Sequence, residues 1–368
     1  MIEDYKAAIL TGREEIKLTN LPRPEPSLYE VLVRIHRVNL CPTDLKKYYQ
    51  LDQNSVELLG SGHQIILGHE AAGVIAEIGS GVSRVQPGSR VAIDPMLPCG
   101  QCSYCANGDF PLCINLVGIG ASAGTIDGSI RLLSENGIGG CFAEYVKVPE
   151  QNVFLIPDNL SFRSASLMEP LADVLHSLEV GAPQSNEIAA VFGLGAMGLM
   201  HIRVMADRGV QEIVAIDPIE ERRKKAIKFG ATQVFDPNEK DTVKFLKSLG
   251  DQTGPHVIFL CTGGEAQKLT TQQALQSIRK KGRILLYASA IKPAEIPIDI
   301  NHIHYGIITF TGTVGFYKKH GELALKMLEE GIIDVNTIRT PSFPLEKIEE
   351  AFASYGRPDV VKVGIDIT

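Results

Sequence analysis

The sequence has no feature typical of a secreted, membrane-spanning or nucleic-acid-binding protein. Its N-terminal stretch MIEDYKAAIL is acidic and lacks a basic segment followed by an apolar one, so it does not predict a secretory signal. The most apolar window, residues 188–200, is shorter than the roughly 20 residues that cross a bilayer. The formal net charge of -7 opposes binding to phosphate backbones, and no basic stripe contains interleaved aromatic residues. We therefore expect a cytoplasmic protein with no membrane or nucleic-acid partner.

Internal repeats and low-complexity tracts are also missing, and the remaining composition is that of an ordinary globular protein. Apolar residues make up 44% and charged residues 21% of the 368 positions, and the chain is long enough to bury two cores. Seven cysteines are an odd number in a chain with no predicted secretory signal, and four of them lie between positions 99 and 113. This crowding favours metal binding over disulfides.

The pattern of apolar residues changes along the chain and predicts two domains. Up to about residue 148 it consists of short β-like runs, and from about residue 161 apolar runs alternate with charged helical stretches. The second pattern predicts an α/β fold with a doubly wound parallel sheet. We assign this Rossmann domain to residues 158–315 and a mainly β domain to residues 1–157 with 316–368. The predicted parallel strands span residues 188–192, 212–216, 232–235, 256–261, 283–288 and 307–311.

A glycine-rich turn between an apolar strand and a helix predicts a dinucleotide site in the second domain. Gly193 allows a tight turn, Gly195 lets the backbone approach a pyrophosphate, and Gly198 lets the helix pack closely on the strand. Ala196 and Met197 open the helix, whose unpaired N–H groups favour an anion. We predict that these residues bind the pyrophosphate of the cofactor.

The end of the next strand predicts which nucleotide is bound. Asp217 can accept hydrogen bonds from the adenosine ribose hydroxyls and would repel a 2'-phosphate, which favours NAD over NADP. Arg222 is close enough in sequence to stack on adenine, although a solvated position explains it equally well. Thr262 follows the fourth strand, at the sheet edge where the nicotinamide is expected.

The crowded cysteines predict a structural metal site. Cys99, Cys102, Cys105 and Cys113 have the spacing C-x2-C-x2-C-x7-C, within a loop that contains proline and glycine. Four thiolates with no open position are typical of a structural zinc. An iron–sulfur cluster is the alternative, because thiolate quartets also hold such clusters.

A looser set of potential ligands suits a second zinc with an exchangeable water. It consists of Cys41, His69, Glu70 and Glu169, whose mixed sulfur, nitrogen and oxygen donors are typical of catalytic zinc. Each of these residues alone is more often part of a packed core. Adjacent strand residues point to opposite faces, so His69 and Glu70 can bind the same metal only if the chain bends there.

With these motifs in their order, the sequence resembles the zinc-containing medium-chain dehydrogenase/reductases, in particular the branch of sorbitol, threonine and butanediol dehydrogenases. The resemblance covers essentially the whole chain. Its motifs are Gly68-His69-Glu70 with Gly73, the cysteine quartet, Phe142-Ala143-Glu144-Tyr145-Val146, Glu169-Pro170-Leu171-Ala172, and Gly193 to Gly198 leading to Asp217. The resemblance implies a GroES-like fold for the mainly β domain, two Zn²⁺ per chain with NAD, and a homodimer or homotetramer.

The resemblance also implies a reaction and roles for single residues. The enzyme would transfer hydride between NAD and a small secondary alcohol, such as a polyol, sugar alcohol, diol or hydroxy amino acid. The looser ligand set would hold the catalytic zinc, with Glu169 binding it directly or through water. Thr43 would pass the substrate proton towards solvent. Asp44 would orient His69 through its other ring nitrogen, unless it only caps a turn.

Two features depart from the family's pattern. Lys46 stands where many relatives have a histidine five residues after the catalytic cysteine, which leaves the route of the proton open. Residues 119–138 form a longer link than usual before Phe142, and we expect a surface excursion beside the active site or an oligomer contact.

Two other functions are compatible with the same scaffold. One is a zinc-independent enone or quinone reductase that uses NADPH, and the other is a non-catalytic dinucleotide-binding protein that keeps only the structural zinc. Metal content separates them, because about two zincs per chain support the dehydrogenase and one supports either alternative.

Overall fold

The structure, a computed structural model, describes residues 4–51, 56, 65–121, 139–289, 295–338 and 341–367. The chain divides into two compact units, one formed by Met1–Ala172 with Phe316–Thr368 and the other by Asp173–Gly315. Most of the predicted excursion before Phe142, residues 122–138, lies outside the described residues. Within the described ranges no helix has both the length and the apolar character needed to cross a membrane.

The strands follow one another from the N-terminus to the C-terminus. They are β1 (Asp4–Gly12), β2 (Glu15–Pro22), β3 (Glu30–Leu40), β4 (Ile65–Ile66), β5 (Glu70–Ile78), β6 (Arg90–Ile93), β7 (Met96–Leu97), β8 (Val117–Gly118), β9 (Tyr145–Pro149), β10 (Val153–Leu155), β11 (Ile188–Phe192), β12 (Glu212–Ile216), β13 (Gln233–Phe235), β14 (Val257–Leu260), β15 (Arg283–Leu286), β16 (Thr309–Gly312), β17 (Ser342–Pro344) and β18 (Val363–Asp366).

The helices are concentrated in the second half of the chain. They are α1 (Pro42–Tyr48), α2 (Ser103–Ala106), α3 (Phe162–Ala165), α4 (Met168–Gly181), α5 (Ala196–Asp207), α6 (Glu220–Phe229), α7 (Thr242–Lys247), α8 (Leu249–Gln252), α9 (Ala266–Ser277), α10 (Ile300–Gly306), α11 (Lys318–Glu329) and α12 (Ile348–Ser354). Short 3-10 turns occur at Phe110–Leu112, Ile119–Ala121, Glu150–Asn152 and Leu345–Lys347.

The first unit is built on a mainly antiparallel sheet with the order β10-β6-β5-β3-β18-β17, in which β9 also pairs with β3. A smaller sheet joins β2, β1 and β4. Alternate residues of β3, among them Val31, Val33 and Ile35, enter the core of this unit. The C-terminal strand β18 completes the sheet by pairing with the end of β3, Val363 opposite Leu40. The last segment of the chain therefore supplies a strand to the first unit.

The second unit contains a parallel sheet with the order β13-β12-β11-β14-β15-β16. Numbered within this unit, the order is 3-2-1-4-5-6, the doubly wound arrangement predicted from the sequence. Its central strands β11 and β14 are buried along their whole length, as expected for a parallel sheet covered on both faces. The last strand begins at Thr309, two residues later than predicted, because Ile307 adopts a left-handed conformation (φ 52°) at the end of α10.

The boundary between the units lies after Ala172, later than the boundary expected at residue 157. The segment between the two positions packs on the sheet of the first unit. The Asn39 side chain donates to the Ser166 carbonyl (3.1 Å), and the ring of Phe162 stacks on His36 with 4.4 Å between ring centroids. These contacts, which link residues far apart in sequence, place the segment in the first unit.

Candidate active site and cofactor site

The two turns that carry the candidate catalytic ligands lie close together at the adjoining ends of the neighbouring strands β3 and β5. Strand β3 ends at Leu40, and Cys41 is the N-cap of α1, with Pro42 in the first helical position. Strand β5 begins at Glu70, opposite Asn39 of β3. Before it, Gly68 has a φ of +89°, and a Cβ there would lie 2.7 Å from the Phe142 ring. This glycine allows the bend that binding through both His69 and Glu70 requires.

Cys41, His69 and Glu70 form a group that suits a zinc ion. One donor atom from each residue lies within 4.8 Å of the others, and both His69 and Glu70 are almost fully buried. Oε2 of Glu70 is buried with no hydrogen-bond partner among the described residues, so a carboxylate oxygen is available to a cation. A thiolate, an imidazole and a carboxylate are the donor types that catalytic zinc sites use.

Asp44 connects the two ligand-bearing turns. One carboxylate oxygen, Oδ2, accepts a hydrogen bond from the Cys41 amide (2.9 Å), and Oδ1 accepts one from the Gly68 amide (3.0 Å). Oδ1 is also 3.5 Å from Nδ1 of His69. That distance is longer than a normal hydrogen bond, so the interaction with the ring is mainly electrostatic. Asp44 is fully buried and caps a turn at the same time as it faces the histidine.

Burial and neighbouring charges shift the ionisation of the ligand group. Burial raises the pKa of the Cys41 thiol, and the adjacent His69 only partly opposes this shift. For His69, burial lowers the pKa, but the Asp44 carboxylate and the Cys41 thiolate outweigh it, so the pKa lies well above its usual value. A metal that binds here therefore displaces protons from both residues.

Two further carboxyl groups belong to the surroundings of this group. Glu169, in the first turn of α4, lies outside the group of three. Burial raises the pKa of Glu70 to about 7, and the charge of Glu169 adds to this shift while Lys362 opposes it. Asp94, which directly follows β6, was not identified from the sequence. Burial, followed by the charge of Glu169, raises the pKa of Asp94 to about 7, although its Oδ1 accepts a hydrogen bond from the Met96 amide (2.9 Å). A lone carboxylate among apolar residues at the end of a β-strand was the available signal.

The predicted proton carrier lies beside the cysteine. Oγ1 of Thr43 is 3.7 Å from Sγ of Cys41, and the threonine is half-buried. Lys46, three residues further along α1, is also half-buried. The geometry is compatible with proton transfer through Thr43, and it assigns no role to Lys46.

Lys362 is a second residue that the sequence analysis missed. It immediately precedes β18, whose first residue pairs with Leu40 beside Cys41. Its Nζ donates to Oε1 of Glu70, and both side chains are 1% exposed. A single lysine inside the apolar run from Val360 to Ile365 was the signal, because such a position is buried and a buried charge needs a partner.

The cysteine quartet is gathered in a separate lobe of the first unit. The four sulfurs lie within 4.8 Å of one another, with 3.5 Å between those of Cys102 and Cys105. Zn–S bonds of about 2.3 Å place the sulfurs of a tetrahedral site about 3.8 Å apart, so the quartet fits zinc. The lobe is attached to the start of α11 by a hydrogen bond from the Tyr317 hydroxyl to Asp109 (3.1 Å).

The glycine-rich turn of the second unit has the form expected of a pyrophosphate site. Gly193 has a φ of +87°, and α5 begins at Ala196 with Gly195 as its N-cap. A Cβ on Gly198 would lie 1.9 Å from the Gly193 carbonyl oxygen, whereas a Cβ on Gly195 would meet nothing within 4 Å. Gly198 is thus required by packing. Gly195 leaves open space in front of the N-terminus of α5, whose first residues are Ala196 and Met197.

The acidic residue after β12 is held in place by the backbone. Oδ2 of Asp217 accepts from the Leu194 amide and Oδ1 from the Ile219 amide, each at 2.8 Å. Nη1 of Arg222 is 3.9 Å from the carboxylate, and Arg223 donates to the Asp217 carbonyl (2.7 Å). These bonds fix the carboxylate beside the glycine-rich turn and leave acceptor capacity on each oxygen for ribose hydroxyls.

Thr262 packs against the same turn. Its methyl group would lie 2.8 Å from a Cβ on Gly193, and its hydroxyl is 2.7 Å from that of Thr270 in α9. The structure thus places the predicted cofactor residues around one turn of the second unit, and it gathers the candidate metal ligands of the first unit into two groups that leave out Glu169.

Comparisons with known proteins identify the family and the fold of the chain. The family described as "Alcohol dehydrogenase GroES-like domain" matches residues 27–158, and the family described as "Zinc-binding dehydrogenase" matches residues 196–330. Sorbitol dehydrogenase of Bacillus subtilis (strain 168) is 30% identical, over 95% of this chain and 93% of that protein. L-threonine 3-dehydrogenase of Pyrococcus furiosus is 30% identical, over 92% of this chain and 90% of that protein.

A solved structure is similar over nearly the whole chain. It is described as "a putative zinc-binding dehydrogenase" from Sinorhizobium meliloti 1021 bound to NADP, with a TM-score of 0.86, 25% identity, and coverage of 99% of this chain and 100% of that one. The chain belongs to the family of zinc-containing medium-chain alcohol dehydrogenases, with a GroES-like unit and a Rossmann unit. It is an oxidoreductase of this zinc- and nicotinamide-dependent class.

Proposed function

We propose that the enzyme oxidises a small secondary alcohol with NAD as the hydride acceptor, and that the substrate is a polyol, sugar alcohol, diol or hydroxy amino acid. The observation that carries the proposal is the close approach of Cys41, His69 and Glu70, with an unpartnered carboxylate oxygen. In this proposal these three residues hold a catalytic zinc, Glu169 lies near it, and the cysteine quartet holds a structural zinc. The names of the sorbitol and threonine dehydrogenases that the chain resembles support the substrate class.

The residues around the metal have distinct tasks in this proposal. A zinc ion would act as a Lewis acid that lowers the pKa of the substrate hydroxyl. Thr43 would relay the hydroxyl proton towards solvent by releasing its own proton as it accepts that of the substrate, and a bound nicotinamide would supply the hydride acceptor. Asp44 holds the turns of Cys41 and His69 in place through its bonds to the Cys41 and Gly68 amides. Reduction of the ketone follows the same path in reverse.

The first experiment follows NADH formation at 340 nm with a panel of polyols, sugars, diols and threonine, with and without a zinc chelator. We expect chelator-sensitive turnover with one substrate group. The Cys41→Ser variant should lose nearly all turnover but still bind NAD. The matched control is Cys141→Ser. Cys141 is a buried cysteine of the same unit that belongs to neither group of candidate metal ligands, so this variant should keep both metals and most of the activity. Full turnover in metal-stripped protein would refute the proposal.

The preference for NAD is a separate part of the proposal and depends on Asp217. Its carboxylate sits beside the glycine-rich turn, where it would repel a 2'-phosphate. Asp217→Asn should lower the ratio of NAD to NADP affinity on the order of tenfold, a change of about 1.4 kcal/mol. Asp236→Asn, which removes the partner of Arg223 at the end of the next strand, is the control. A wild-type preference for NADP, the cofactor held by the Sinorhizobium structure, would contradict this part.

A homodimer or homotetramer is supported by the edge of the parallel sheet. Among the described residues, strand β16 is one of the two edge strands of this sheet, and exposed apolar side chains precede it, with Ile300 80%, Tyr305 72% and Ile307 67% exposed. An edge strand with exposed apolar neighbours favours pairing with a second copy. Sedimentation of the wild type should give a dimer or larger, and Ile300→Lys with Ile307→Lys should shift it towards a monomer. A monomeric wild type at assay concentration would refute this assembly.

A further inference from the structure

A buried ammonium group touches the candidate metal ligands without belonging to them. Lys362 donates to Oε1 of Glu70, and each side chain is 1% exposed. The two residues flank the end of β3 from opposite sides, because Glu70 pairs with Asn39 and Val363 pairs with Leu40. The pairing of three strands that are distant in sequence therefore brings the lysine to the carboxylate.

The two oxygens of Glu70 have different surroundings. Oε1 is occupied by the ammonium, whereas Oε2 is buried and has no hydrogen-bond partner among the described residues. Oε2 is therefore the oxygen left for a cation, and the lysine prevents the carboxylate from binding through both oxygens. The carboxylate lies between two positive charges once a metal is bound.

The charge of the site changes when it takes up a metal. Without the metal, the ammonium of Lys362 is the charge in contact with the buried Glu70 carboxyl group, and it favours the ionised form of that group. Removal of one partner of such a pair is strongly destabilising, because the other charge stays buried. With zinc bound, the metal compensates both the carboxylate and the Cys41 thiolate, so the ammonium contributes less.

We propose that Lys362 is a positioning residue for the metal site: it replaces the charge of the metal when the site is empty, and it limits Glu70 to one-oxygen binding when the site is loaded. This inference rests on the proposed function, because it takes Cys41, His69 and Glu70 as zinc ligands. It adds a residue outside the ligand set and makes zinc affinity depend on it.

The test uses Lys362→Met, which keeps most of the length of the side chain and removes its charge. The unfolding midpoint of the metal-free variant should fall below that of metal-free wild type. Zinc should reduce this difference between the two unfolding midpoints. By linkage the variant then binds zinc more tightly, about tenfold, which corresponds to about 1.4 kcal/mol.

Substitution of the catalytic zinc by Co²⁺ gives a second readout. The visible bands of the variant should lose intensity, because a carboxylate binding through both oxygens raises the coordination number. Lys362→Arg should restore the wild-type spectrum.

The control is Lys147→Met. Lys147 is also a buried lysine of this unit, and it pairs with Glu30 (3.0 Å) at the opposite end of β3 from Cys41. Its loss should lower stability equally with and without zinc and leave the cobalt spectrum unchanged. If Lys362→Met fails to fold, Lys362→Gln tests the loss of the same positive charge with a neutral side chain that can still donate a hydrogen bond to Oε1.

Two results distinguish failure of this inference from failure of the proposed function. Two zincs per wild-type chain, with a stability gap independent of zinc and an unchanged cobalt spectrum, would overturn the role of Lys362 alone. A single zinc per wild-type chain, held by the cysteine quartet, would overturn the proposed function and this inference together.

Discussion

Oδ1 of Asp44 lies 3.5 Å from Nδ1 of His69, and the same carboxylate accepts hydrogen bonds from the backbone on each side of the ligand group. Asp44 therefore holds the two ligand-bearing turns in position and also acts electrostatically on His69. Asp44→Asn removes the charge that faces the ring and one of the backbone acceptors. Loss of such a supporting group lowers metal affinity by about 10–100-fold. Chelator competition should show this loss at one of two zincs per chain, while the quartet zinc is retained. Equal zinc affinity in the wild type and in Asp44→Asn would contradict the role assigned to Asp44.

The cysteine lobe should hold its metal independently of catalysis. Cys105→Ser removes a buried thiol of the quartet, so we expect loss of one zinc per chain and a lower unfolding temperature, because a structural zinc contributes directly to folding. Metal analysis and calorimetry measure the two effects. Cys261→Ser, which changes a cysteine of the other unit, should keep both metals. Iron and a broad visible absorption in the purified protein would instead favour the iron–sulfur alternative.

Alanine substitutions at the two glycines of the nucleotide turn, Gly195 and Gly198, should have different effects. Gly195→Ala adds a methyl group to open space in a backbone conformation that alanine adopts, so stability should stay unchanged while NAD affinity falls on the order of tenfold. Gly198→Ala forces a contact with the Gly193 carbonyl and should destabilise the second unit by about 1–3 kcal/mol. Calorimetry of thermal unfolding and titration with NAD separate the two effects. Similar losses of stability in both variants would show that Gly195 is also a packing position.

A buried histidine of the second unit should make its stability depend on pH. Burial lowers the pKa of His201 to about 4, although a hydrogen bond to the Met197 carbonyl opposes the shift, and its other ring nitrogen contacts the Ser177 hydroxyl. The unfolded chain takes up a proton near pH 6.5, whereas the folded chain does so only near pH 4. Stability is therefore lost as the pH falls between these values, by about 2 kcal/mol between pH 7 and pH 5.

Urea unfolding followed by circular dichroism at pH 7 and pH 5 tests this dependence. The His201→Gln variant lacks the titrating ring, so its loss of stability over the same interval should be smaller by that amount. An identical pH dependence in wild type and variant would contradict the assignment to His201.

Much of the fold could be predicted because it depends on local patterns. The parallel strands of the second unit were predicted with small errors at their ends, since buried parallel strands are continuous apolar runs bounded by turn residues. The start of β16 was misplaced because Ile307 is apolar and β-branched, yet it ends a helix in a left-handed conformation. The position of residues 158–172 was missed for a different reason. Their contacts, such as Asn39 with Ser166, connect distant parts of the chain and leave no periodic signal.

The sequence by itself determined the chemistry available to this protein. It contains the cysteine spacing, the adjacent histidine and glutamate, and the glycine-rich turn, because each of these motifs requires specific residue types at short range. Only the tertiary structure decided which groups surround them. The contact between Lys362 and Glu70, and the effect of Glu169 on Asp94, arise from strand pairing and burial between segments far apart in the chain. Electrostatic interactions act through space and strengthen when water is excluded, so their outcome depends on three-dimensional packing.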